Sequence, residues 1–237
     1  MSAEHTTLLN GRVKLLQQVG GLRASTDTVL LAAAVQMKPS QTILDMGCAT
    51  GGVGLCVLER LGMSQSQLTG VDQQPNLIAM AQQNAPDATF ICGDVTNTSF
   101  FNDQSFDHIV MNPPYFEIGK KQSNPDAARD IAFNTDDFKG WMQSALRWVR
   151  HGGTLSLVHK ADALNQILEF ANGRFGDIHI WPVYSNPSKP AIRIIVSMKR
   201  NRKSPTIIHP PIILFNDDGS QSSQSEFILR DAKALIN

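Results

Sequence analysis

Hydrophobic and polar positions change period along the chain, and those changes divide it. Leu8–Gln17 alternates around Asn10-Gly11, the preferred pair for a tight type I′ turn, and predicts a β-hairpin. Gly20-Gly21 interrupts the pattern. Ser25-Thr26-Asp27 then supplies caps and a first-turn acid for a helix to about Met37, stopped by Pro39. Beyond it, the short apolar runs Thr42–Leu44, Leu68–Val71, Phe90–Cys92 and His108–Met111 have the character of buried parallel strands. Helical stretches Gly52–Leu61 and Pro75–Asn84 lie between them, the second with proline where a first helical position falls. Phe138–Val149 predicts a helix with Trp141, Ala145, Trp148 and Val149 on one face, ended by Gly152-Gly153 before a strand at Thr154–Val158. Ala163–Ala171 reads as helix, and Ile178–Tyr184 and Ala191–Met198 as two long strands. A segment with Pro205, Pro210 and Pro211 follows, and Gln221–Ser225 reads as a polar loop. Strand and helix in alternation predict an α/β fold with a doubly wound parallel sheet.

Composition narrows the class. A chain of 237 residues with 42% hydrophobic positions builds a real core and fits one α/β domain. Lys plus Arg is 21 and Asp plus Glu is 21, which excludes a binder relying on bulk positive charge and leaves room only for a local basic patch. No apolar run approaches the ~20 residues of a membrane span. Met1–Asn10 lacks the features of a signal peptide, so a cytoplasmic protein is expected. Cys48, Cys56 and Cys92 are odd in number without CxxC spacing, which points to reduced thiols. His5, His108, His151, His159, His179 and His209 never pair at metal spacing, and no metal is expected. The absence of a G-x-S-x-G elbow removes the usual α/β-hydrolase reading.

The candidate chemistry sits where predicted strands end. Ile43 to Gly52 runs from strand to helix through Asp45, Gly47, Cys48, Gly51 and Gly52, and glycines there let backbone approach a ligand closely. The dinucleotide fingerprint GxGxxG is absent because Ala49 stands at its second glycine. Asp72 closes the next strand, where a carboxylate can accept from a ribose diol, and Asp94 follows the third, placed to accept from an adenine amine. Each acid alone is equally a turn residue. Asn112-Pro113-Pro114-Tyr115 directly follows the fourth strand. Its prolines fix φ and remove two N–H donors, so the Asn112 side-chain carbonyl and the Pro113 backbone carbonyl form paired acceptors suited to an –NH2 group. Tyr115 can lay its ring against the planar group carrying that amine.

These residues resemble the successive motifs of class I S-adenosylmethionine-dependent methyltransferases that act on exocyclic or amide nitrogens. More closely, the chain resembles the bacterial tRNA adenine-N6 methyltransferases that modify the adenine beside a valine anticodon. That likeness extends to Leu9–Arg12, Leu22–Asp27, Leu30-Leu31-Ala32 and Lys189-Pro190-Ala191, and covers roughly residues 8–237. It implies a seven-stranded Rossmann-like sheet, with residues 1–38 as a hairpin and helix extension packed on a catalytic domain at 39–237. It implies S-adenosyl-L-methionine as cofactor, bound by Asp27, Asp45, Gly47, Cys48, Gly51, Asp72, Gln73, Asp94, Val95 and Asn112, with Asn112, Pro113 and Tyr115 catalytic. Ala49 departs from the family's middle glycine, and tolerance is expected because Gly47, Gly51 and Gly52 remain. For Asp27, a plain first-turn helix acid is an equal reading. A tRNA partner would meet a basic surface, with Lys199, Arg200, Arg202 and Lys203 the densest cluster, Arg193 and Lys189 nearby, and Lys120, Lys121, Arg147, Arg150 and His151 as further candidates that are equally solvated surface charges. Protein glutamine methyltransferases and DNA adenine methyltransferases share the Asn-Pro-Pro-Tyr element. A glutamine amide, another RNA or DNA adenine, and a non-catalytic relative therefore stand as alternatives.

Overall fold

A computed structural model describes residues 3–20, 24–114 and 135–235. The hairpin is present as β1 (Ala3–Leu8) and β2 (Val13–Gln18), antiparallel and closing at Leu8↔Val13. Its turn takes four residues rather than two, with φ of 51°, 56° and 84° at Leu9, Asn10 and Gly11. Leu9 joins the turn because its side chain is drawn into the core, 2% exposed. Helix α1 (Thr26–Ala34) stops three residues short of Met37. Arg60 of α2 (Gly52–Leu61) donates to the carbonyls of Ala32 and Val35, so a side chain satisfies the helix end before Pro39 is reached.

The sheet core has seven strands: β3 (Ile43–Met46), β4 (Leu68–Asp72), β5 (Thr89–Cys92), β6 (Phe106–Met111), β7 (Val149–Lys160), β8 (Phe175–Tyr184) and β9 (Ala191–Arg200). Their order is β8-β9-β7-β6-β3-β4-β5, and within this core only β9 runs antiparallel to its neighbours. Two short strands from the proline-rich segment, β10 (Ile207–Ile208) and β11 (Ile212–Ile213), pair parallel with β8 and bring the sheet to nine. Short apolar runs bounded by turns become central strands because both sheet faces are covered. One face buries α1, α2 and β2 side chains around Leu15, Leu30, Ile43 and Val57. The other buries Met46, Ile109, Trp141, Trp148 and Ile167 beneath α4 (Thr135–Trp148) and α5 (Leu164–Ala171).

Two sequence expectations are corrected. Gly152-Gly153 does not end α4, because the chain passes directly from Trp148 into β7. The glycines instead accommodate an irregularity in which Val149 pairs with Phe106 and Thr154 with His108. A Cβ on Gly153 would lie 2.8 Å from the Asp107 carbonyl oxygen, so only glycine fits that approach. Gln221–Ser225 is not all loop: Ser222 caps α6 (Ser223–Leu229), accepting from the Ser225 N–H at 3.0 Å. Among the described residues no helix is long and apolar enough to cross a membrane.

Candidate functional site

The loop between β3 and α2 is held from the side of β4. Gly47 N and Cys48 N both donate to the Val71 carbonyl, at 2.8 and 3.0 Å, and Gly51 N donates to the Cys48 carbonyl at 2.8 Å. Gly47, Ala49 and Gly51 take φ of 69°, 47° and 87°, so three alternate residues are left-handed. For Gly47 the demand is also spatial, since a Cβ would fall 2.4 Å from Trp141 Cη2. Ala49 adopts the glycine conformation at a cost of about 1 kcal/mol. Its N–H is fixed by Asp72 Oδ2 at 2.9 Å.

The strand-end acids differ in what surrounds them. Asp45 is 1% exposed and accepts from Gly54 N in the first turn of α2 at 3.0 Å. Burial pushes its pKa up to about 7, with the Gly54 N–H pulling down and the Asp72 charge pushing up. Asp72 accepts from Gln74 N at 2.9 Å through Oδ1 and from Ala49 N through Oδ2. Burial raises its pKa and those two N–H groups oppose the rise. Each oxygen has a second lone pair and can accept again. Asp94 is exposed and accepts from Thr96 N at 2.8 Å.

A cleft of about 570 Å³, measured out to its open mouth, is lined by Gly47, Asp72, Gln73, Gln74, Gly93, Asp94, Val95, Asn112, Pro114 and Trp141. Sequence reasoning named Gly47, Asp72, Gln73, Asp94, Val95 and Asn112, and these come together. Asn112 is half-buried at the end of β6 and Pro113 behind it is buried. Tyr115, Lys120 and Lys121 lie outside the described residues.

Asp27, Asp45, Cys48, Gly51 and Pro113 are not among the residues lining this cleft. Asp45 is spent inside on α2. Cys48 is 4% exposed, and burial raises its thiol pKa well above the ordinary value. Gly51 is the N-cap of α2. Asp27 pairs with Arg193 at 3.3 Å, joining α1 to β9. Trp141 was legible only as a core position, because a helix face pointing at a core and one pointing at a cleft carry the same apolar period.

The basic residues divide between the two ends of the sheet. Lys199 pairs in register with Thr154, near the amino ends of the parallel strands, whereas Arg193 pairs with Lys160 at the carboxyl end. Six residues of β9 separate them, roughly 20 Å at ~3.3 Å per residue. Lys199 is bound to Asp177 Oδ2 at 2.6 Å and Arg200 to the Val149 carbonyl at 2.6 Å. Arg202 and Lys203 are exposed on the same far end. Only Arg193 of the five stands at the cleft end of the sheet.

Comparison with known proteins gives consistent results. A family model described as a methyltransferase domain matches residues 43–153. A tRNA1(Val) (adenine(37)-N6)-methyltransferase from Pseudoalteromonas translucida is 30% identical over 191 residues, 78% of this chain and 80% of that protein. A protein of the same name from Actinobacillus pleuropneumoniae is 28% identical over 156 residues, and that match spans 64% of its length and 62% of this chain. Among solved structures, a predicted O-methyltransferase from Agrobacterium tumefaciens superposes with TM-score 0.71 at 20% identity, covering 88% of this chain and 97% of that one. A Thermus thermophilus 16S rRNA methyltransferase in complex with AdoMet and guanosine gives TM-score 0.57 at 15% identity, covering 85% of this chain and 46% of that one.

Proposed function

We propose, for a chain that belongs to the S-adenosylmethionine-dependent methyltransferases and within them to the family curated as tRNA1(Val) adenine-N6 methyltransferases, that it methylates N6 of an adenine in a tRNA anticodon loop. The observation carrying this reading is that Asn112 and Pro114 open onto the same cleft as Asp72, Asp94 and Gly47. An amine-binding turn and a nucleoside-binding set of acids thus share one space.

The cleft suits the family's cofactor in the chemistry of its lining. The lining supplies acceptors for hydroxyl and amine donors, and the backbone at Gly47 is free of a side chain. S-adenosylmethionine supplies an electrophilic methyl group on a sulfonium. Asp72 would hold the ribose hydroxyls with the lone pairs left over from Ala49 and Gln74, and Asp94 the adenine amine. Gly47 would allow close approach of the methionine part.

The acceptor amine is a weak nucleophile because its lone pair is delocalised into the ring. Accepting both of its N–H bonds at the Asn112 side chain and the Pro113 carbonyl would localise that pair and fix its direction, so positioning and fixed dipoles would supply the rate. The proton leaves once nitrogen carries the extra carbon, without a general base. Tyr115 would stack on a base swung out of the loop. We assign this chemistry to residues 39–237, with residues 1–38 as a packed extension.

The test is transfer of label from radiolabelled S-adenosylmethionine to an unmodified tRNA pool, followed by digestion. Label recovered as N6-methyladenosine is the expected result. Label appearing only on a protein glutamine amide, or on no acceptor with cofactor bound, would overturn it.

A further inference from the structure

Helix α3 (Pro75–Asn84) ends in an amide that bridges three parts of the molecule. Asn84 Oδ1 accepts from Leu16 N at 2.7 Å, while Nδ2 donates to the Leu16 carbonyl at 3.1 Å and to the Thr50 carbonyl at 3.0 Å. Leu16 lies in β2 opposite His5, so the amide fastens the face of the hairpin strand turned away from its partner. Thr50 is the buried residue between left-handed Ala49 and left-handed Gly51. The first residue of α2 is braced from the same direction, since a Cβ on Gly52 would meet Ala24 Cβ at 3.2 Å and Leu15 Cδ1 at 3.5 Å.

The loop therefore has two clamps. Asp72 holds the Ala49 N–H on the cleft side, and Asn84 holds the Thr50 carbonyl behind it, using the Leu16 backbone as an abutment. Both fall on either side of the alanine that carries left-handed strain. Releasing one clamp lets that residue relax toward negative φ and shifts the loop whose Gly47 lines the cleft. We propose that Asn84 is a positioning residue for the cofactor loop, coupling the N-terminal hairpin to cofactor affinity. The proposal rests on the reading that this loop holds S-adenosylmethionine.

Asn84→Asp is nearly isosteric and retains the acceptor for Leu16 N, but replaces the donor to both carbonyls with an oxygen. Equilibrium dialysis with S-adenosylmethionine should show a dissociation constant raised about 10- to 100-fold, with kcat within about twofold once cofactor saturates. Asn76→Ala, which removes a 2.8 Å tie between α3 and Gln18 of the same strand, should leave affinity within about twofold. Binding by Asn84→Asp equal to wild type would overturn the proposal, as would an equal loss in Asn76→Ala. Failure of wild type to bind would instead sink the cofactor reading. The unaltered protein gives a second readout that survives any misfolding of the variant. Coupling is reciprocal, so saturating S-adenosylmethionine should slow exchange of the Leu16 amide hydrogen. An unchanged exchange rate in the bound protein would refute the coupling.

Discussion

The two ends of the sheet use the same residue types to opposite effect. At the amino ends, charges satisfy one another: Arg150 pairs with Asp107 at 3.0 Å, Lys199 with Asp177 at 2.6 Å, and Arg147 with Asp103. These are largely exposed pairs, each worth about 0–1 kcal/mol. At the carboxyl ends Asp27 still pairs with Arg193, but Asp72 and Asp94 are held by main-chain N–H groups, those of Gln74 and Thr96 in the turns they begin and that of Ala49 in the neighbouring loop. A backbone donor fixes a carboxylate's direction and leaves its charge and spare lone pairs for something else. Charge density in the sequence thus pointed to one end of the sheet, and the cleft opens at the other.

The strongest way to break this comparison is at Asn112. Asn112→Ala should reduce methyl transfer about 100- to 1,000-fold while cofactor affinity stays within a few-fold, read by single-turnover rates beside equilibrium binding. Unchanged turnover would mean that the amine is held elsewhere. Gly47→Ala comes next. Its methyl meets Trp141 at 2.4 Å in a left-handed backbone, so cofactor binding should weaken at least about 100-fold and stability fall by about 2–3 kcal/mol, followed by denaturant titration. Asp72→Asn retains shape but places an amide donor against Ala49 N or Gln74 N; the cofactor dissociation constant should rise about 10- to 100-fold, and excess cofactor should restore much of the rate.

A pH experiment sharpens the role of buried Asp45. Its folded-state pKa is about 7, above the ordinary 3.8, so the native state retains a proton that the unfolded chain releases between those values. Stability from this group is lost as pH rises through that window. Asp45→Asn keeps an acceptor for Gly54 N and cannot ionise. Relative to wild type it should gain stability between pH 4 and 7, on the order of 4 kcal/mol, and level off above, as measured by urea titration at each pH. A parallel pair of curves would show that Asp45 is not the titrating group. The smallest effect is expected at the amino ends: reversing Arg202 and Lys203 to Glu together should change the KM for tRNA by less than about threefold. A larger rise would show that the RNA spans both ends of the sheet.

Much of the site was legible because its elements are local. Gly47, Asp72, Asp94 and Asn112 each follow a short apolar run, and a chain that alternates strand and helix brings such strand ends to one edge of a parallel sheet. Boundaries were legible where the signal was also local, as with Gly52–Leu61 and Pro75–Asn84, and failed where a distant group intervened. Arg60 terminates α1 early, the Asp107 backbone dictates Gly153, and the buried Leu9 enlarges the hairpin turn.

What the sequence determined alone was the alternation of elements, the order of the acids and the Asn-Pro-Pro turn, since periodicity and turn chemistry are properties of neighbouring residues. Tertiary structure alone decided which acid faces the cleft and which is buried, that Trp141 closes over Gly47, that Asn84 clamps Thr50 to Leu16, and that Lys199 to Lys203 stand at the far end. Those facts depend on which elements pack against one another and, for Lys199 and Arg200, on strand direction: β9 runs against its neighbours, which carries its last residues to the opposite end of the sheet.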